Sequence, residues 1–128
     1  MLFKAFLEKV SLTCQEHPVR FAVVYGSRAK ERSRERSDYD VAIWIDSGDL
    51  WEVADAVYCH LMDQLFGTGT EVDLVVLNHA SSLLWREVAR DGKVAFEAEL
   101  HAFWRFQLRA MKAWEDWKKF HNLNSRYS

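Results

Sequence analysis

The stretch VVYGSRAKERSRERSDYDVAIWID, Val23 to Asp46, decides the fold. An apolar run stops at Gly26-Ser27, a basic stretch follows, and Asp38 and Asp40 open a second apolar run. VRFAVVY, ending at Tyr25, is β-branched and aromatic and reads as a buried strand; DYDVAIWI reads as a second. The link from Tyr25 to Asp38 holds at most a short helix, too little for a full parallel crossover, so a mixed sheet is open.

Outward from there, Leu2, Phe3, Phe6, Leu7 and Val10 recur with helical period, and Pro18 marks the end of that helix. Asp49 with Glu52 forms an N-cap pair ahead of a stripe of Leu50, Val53, Ala54, Val57, Leu61 and Leu65. Gly67 to Gly69 is a turn, and EVDLVVLN is a third strand. Ser81 caps a helix with Leu84 and Val88 that stops at Asp91-Gly92, with Gly92 expected in the left-handed C′ conformation. KVAFE reads as a short edge strand, and Leu100 to about Phe120 as one long helix. The order is α-β-α-β-α-β-α-(β)-α, an α/β domain with a small mixed sheet covered by helices.

The 128 residues suit one domain, 1–128, with one modest core. A net charge of −2 gives no global basic field to recruit nucleic acid. Cys14 and Cys59 fit no metal spacing and read as free, mostly buried thiols of a reducing cytoplasm. His17, His60, His79, His101 and His121 show no paired ligand spacing and read as scattered surface or rim residues. The N-terminus lacks the features of a signal peptide, and no apolar run is long enough to span a membrane, so a cytoplasmic protein is expected.

The chemistry sits in the carboxylates. Residues i and i+2 of a strand share a face, so Asp38 and Asp40 stand side by side and repel unless a cation lies between them. Mg²⁺ suits such a pair, because it takes one or two carboxylates together with waters and substrate phosphates. Asp73, inside EVDLVV, is costly in an apolar strand without a partner, and it joins the pair if its strand lies beside Asp38's. Gly26 lets backbone approach a ligand closely, while Ser27 offers a hydroxyl and an amide to an anion. Together these point to a nucleoside triphosphate site. The run Arg28, Lys30, Arg32, Arg34 and Arg36 is either a solvated loop or a phosphate contact, with Arg28 the best placed.

Gly26-Ser27, ten residues, then Asp38-Tyr39-Asp40 resembles the GSX10DXD signature of the DNA polymerase β-like nucleotidyltransferases. The short chain and EVDLVVLNHASSLLWREVARDGKVAFE are similar to the minimal nucleotidyltransferase branch, whose members are antitoxins paired with HEPN-domain ribonuclease toxins. The resemblance implies a polymerase β palm-like fold and transfer of AMP from Mg-ATP to a tyrosine of the cognate toxin. Asp38 and Asp40 would then hold metal, Asp73 would share the second metal position and help deprotonate the attacking hydroxyl, and Gly26, Ser27 and Arg28 would bind the nucleotide. A non-catalytic antitoxin that occludes the toxin is the alternative. A small-molecule adenylyltransferase usually needs a substrate domain that is missing here.

The last helix is more apolar than docking on one sheet requires. Leu100, Phe103, Trp104, Leu108, Met111 and Trp114 form one stripe, and Phe106, Ala110, Ala113, Trp117 and Phe120 another. The surplus either covers more of the core or, over about 98–120, meets the partner. Phe106, Trp114 and Trp117 are the expected contacts.

Overall fold

A computed structural model describes residues 1–26 and 38–127. Its elements are α1 (Phe3–Cys14), β1 (Val19–Tyr25), β2 (Asp38–Ile45), α2 (Leu50–Gln64), β3 (Glu71–Val76), α3 (Ser82–Asp91), β4 (Lys93–Glu97) and α4 (Ala102–Tyr127). The strands form one mixed sheet in the order β3-β2-β1-β4. β1 is antiparallel to both its neighbours, and β2 is parallel to β3. The connection through α2 supplies the crossover that a parallel pair needs. The short helix allowed between the first two strands lies outside the described residues.

β1 is buried along nearly its whole length because both sheet faces are covered. On one face, Phe6 and Val10 of α1 and Val57 and Leu61 of α2 pack on Val24, Tyr39, Val41 and Ile43. Phe6 stacks on Tyr39 at 4.1 Å between ring centroids. On the other face, Val88 of α3 and Phe103, Phe106 and Ala110 of α4 pack on Phe21, Val23 and Ala42. Asp49 accepts from the Glu52 amide at 3.0 Å, and Ser81 from the Leu84 amide at 3.2 Å, so both expected caps form. α4 receives its cap from outside: Glu97 Oε2 at the end of β4 accepts the Phe103 amide at 2.9 Å.

Four expectations need correction. Gly92 is not left-handed; its φ is −66°. Its requirement is space, since a Cβ there would lie 2.6 Å from the Val88 carbonyl oxygen and 2.8 Å from Phe103 Cζ. We expect Gly92→Ala to lower stability by about 1–3 kcal/mol through overpacking, measured as a shifted denaturation midpoint with an unchanged slope. Cys14 is buried, and burial pushes its thiol up to about 12, but Cys59 is exposed on the outer face of α2. His17 and His60 are not scattered: their ring nitrogens stand 3.0 Å apart and tie the end of α1 to α2. Burial and the neighbouring His60 hold the His17 imidazole below its usual range.

The fourth correction concerns α4. Phe106, expected at a partner surface, is 3% exposed and lies in the core. The helical period turns its side chain toward Phe21 and Trp85, at 5.3 and 5.4 Å between centroids. Trp114 and Trp117 are half-buried and stack on each other at 4.9 Å. The exposed apolar residues belong mostly to the first stripe, Leu100, Trp104, Leu108 and Met111, with Phe120 of the second. Among the described residues no helix is long and apolar enough to cross a membrane.

Candidate functional site

The strand register brings the carboxylates of the sequence together. Asp40 is the direct partner of Asp73 across the parallel β2–β3 pair, and Asp38 is the partner of Glu71. Tyr39 is buried toward α1, so its neighbours Asp38 and Asp40 point to the opposite face, the one covered by α3 and α4. Asp73 stands on that same face, two residues before Val75, which packs against the α3–α4 core. Three acidic residues therefore meet at one end of two adjacent strands, where the apolar cover gives out: Asp38 and Asp40 are half-exposed and Asp73 is exposed.

Gly26 completes this corner for two reasons. Its φ of +83° is one that residues with a Cβ rarely adopt, and a Cβ there would lie 2.9 Å from Asp40 Oδ2. The backbone thus passes against the Asp40 carboxylate with no side chain between them. Ser27 and Arg28, and the basic run to Arg36, lie outside the described residues.

One neighbour of the site was not singled out from sequence. Tyr25 is the strand partner of Asp40 and is 8% exposed. Burial first, then the charges of Asp40, Glu87 and Asp73, push its phenol up to about 12. It remains a neutral hydroxyl at physiological pH. Glu87 of α3 belongs to the same electrostatic neighbourhood. The signal in the sequence was the position of Tyr25 immediately before Gly26, at the end of a strand whose other residues, Arg20 apart, are aliphatic or Phe.

The donor set is all carboxylate oxygen, the hard chemistry that suits Mg²⁺ and not a thiolate or imidazole metal. Among the described residues no three His, Cys, Asp or Glu side chains close into a metal cage.

Comparisons with known proteins bear on the family and the fold. Residues 8–100 match the family model described as polymerase beta, nucleotidyltransferase. Protein adenylyltransferase MntA of Aphanizomenon flos-aquae is 32% identical over 108 residues, which cover 79% of this chain and 72% of that one. Among solved structures, a chain in the crystal structure of a toxin–antitoxin with AMP-PNP superposes with a TM-score of 0.70 at 15% identity, over 95% of this chain and 98% of its own. A chain from the complex of tri-AMPylated Shewanella oneidensis HEPN toxin with MNT antitoxin gives 0.65 at 17% identity, over 98% of both chains. At those identities the structural matches establish the fold.

Proposed function

Because the chain belongs to the polymerase beta nucleotidyltransferase family, we propose that it is an antitoxin that transfers AMP from Mg-ATP to a tyrosine of a cognate HEPN ribonuclease toxin. The observation that carries the proposal is the pairing of Asp40 with Asp73 across β2 and β3, with Asp38 on the same face. It is joined by the relative at 32% identity, itself a protein adenylyltransferase.

In this reading Asp38 and Asp40 hold Mg²⁺, and Asp73 shares a second position. Held by these carboxylates, the ion would supply positive charge to offset that of the phosphates and of the leaving pyrophosphate. The chain's own residues position the reactants. The bare backbone at Gly26, with Ser27 and Arg28 following it, receives the triphosphate. Asp73 takes the proton of the incoming tyrosine hydroxyl as its oxygen bonds to the α-phosphorus, and the bond from that phosphorus to the bridging oxygen breaks. Tyr25, a neutral phenol in the same corner, adds no negative charge to a site already rich in it. Positioning and charge neutralisation supply most of the rate.

The body of the toxin is held apart from the reacting atoms. A groove of about 410 Å³ runs between α3 and α4, with Trp104, Leu108, Met111 and Trp114 on its apolar side and Arg86 and Arg90 along its rim. Arg86 lies 4.4 Å over the Trp114 ring, which presents the guanidinium to an incoming partner. Exposed Trp and Met with flanking Arg are what a protein interface favours.

A ribonuclease assay tests the proposal. The toxin's cleavage of RNA should fall on incubation with the chain only when ATP and Mg²⁺ are both present, and stay suppressed after the chain is removed. Equal suppression without nucleotide, reversed on removal, would instead favour occlusion.

A further inference from the structure

Among the described residues β3 is the outermost strand of the sheet, and its free edge lies beside the carboxylate site. The Leu77 amide donates to the Ile43 carbonyl oxygen at 2.9 Å across β2. Alternation along a parallel strand then turns the N–H and C=O groups of Val72, Leu74 and Val76 the other way, toward the open edge. A groove of about 330 Å³ follows this edge, lined by Trp51, Ala54, Asp55 and Tyr58 of α2 and by Val72, Asp73 and Leu74 of β3. Trp51 is 86% and Tyr58 40% exposed, far more than packing of their own helix requires.

We propose that this edge is the docking groove for the target segment of the protein substrate, an extended, tyrosine-bearing stretch that adds to the sheet as a further strand beside β3. The inference rests on the adenylyltransferase reading above and names how that reaction receives its acceptor. An exposed row of backbone donors and acceptors is matched by another extended chain. The groove is continuous with the site, because Asp73 belongs to both.

The added strand would itself alternate between faces. Val72 and Leu74 lie on the α2 face of the sheet, whereas Glu71 and Asp73 lie on the α3–α4 face. Every second residue of the docked segment would pack on Trp51 and Tyr58, and the residues between would stand beside Asp73 and Glu71. The tyrosine belongs to the second set. Its immediate neighbours should therefore be apolar or aromatic, and the residue two positions along should be Lys or Arg, to meet Glu71. Among the described residues the lining of the groove carries Asp55 and Asp73 and no cation, which favours a basic segment over an acidic one.

The test uses the full chain, the HEPN toxin and Mg-ATP. The double variant Trp51→Ala/Tyr58→Ala, at exposed positions, should fold as wild type. It should raise KM for the toxin tenfold or more while kcat and KM for ATP change little. In the wild-type chain, hydrogen exchange at the amides of Val72, Leu74 and Val76 should slow when the toxin is added. Transfer that proceeds with an unchanged KM and no protection of these amides overturns the groove and leaves the adenylyltransferase reading standing. If the wild-type chain transfers no AMP, that reading fails, and the amides still decide the groove: protection keeps the edge as a docking site, and its absence removes it.

Discussion

Asp73→Asn is expected to slow AMP transfer to the toxin about a hundredfold or more, the scale usual for lost acid–base help. Asn has nearly the size of Asp, and residue 73 is exposed within β3, so the β2–β3 pairing should survive. In the proposed mechanism the substitution removes the charge that would share a cation with Asp40 and the base that would receive the hydroxyl proton. Gly26, Asp38 and Asp40 remain, so ATP should still bind with an affinity altered far less than the rate. Toxin affinity should change far less than the rate, because the α3–α4 groove does not include residue 73 and the β3-edge groove keeps Trp51, Tyr58 and its backbone. Single-turnover transfer rates, with nucleotide and toxin affinities measured separately by titration, check this pattern. A variant that transfers at the wild-type rate would remove Asp73 from the reaction.

The second large effect is structural. Phe106→Ala should lower stability by about 3–5 kcal/mol, the cost of emptying an aromatic side chain from a packed core. Phe106 lies within 5.3 to 6.2 Å, between centroids, of Phe21, Trp85, Phe103 and Trp44, so nothing short of repacking both helices would fill the void. Trp104→Ala and Met111→Ala should barely move the denaturation midpoint yet weaken toxin binding, because both side chains are mostly exposed. Denaturant titration of the isolated chain beside a binding titration with the toxin separates the two classes. Equal destabilisation by Trp104→Ala would place that side chain in the core and remove it from the interface.

The contrast at α4 shows what the sequence could and could not reveal. Asp38, Asp40 and Asp73 were legible because each breaks an apolar strand, and a period of two fixes the face on which each pair stands. That they share a register was a condition on strand order, and only the pairing of β2 with β3 met it. In α4 the period of 3.6 defined two adjoining apolar stripes, but which one met the sheet depends on how the helix is rotated about its axis. That rotation is set by contacts remote in sequence: Gly92 admitting Phe103 at close range, Glu97 capping the first turn, and Gln107 donating to the Ala89 carbonyl at 2.9 Å. The Gly92 reading failed for a related reason. A glycine after a helix suggests a left-handed cap, whereas this one is required by a packing contact with a helix that begins ten residues later. Tyr25 and the His17–His60 pair were hidden in the same way, since their partners lie across the sheet or on another helix.

The central claim is that the chain silences its partner by covalent adenylylation and not by contact alone. Intact-mass spectrometry of the HEPN toxin, after incubation with the chain and Mg-ATP, tests it most directly. The account predicts a gain of a whole number of AMP masses, mapped by fragmentation to tyrosine, and abolished by EDTA or by Asp38→Ala/Asp40→Ala. A toxin that keeps its unmodified mass while its ribonuclease activity is suppressed would contradict the account.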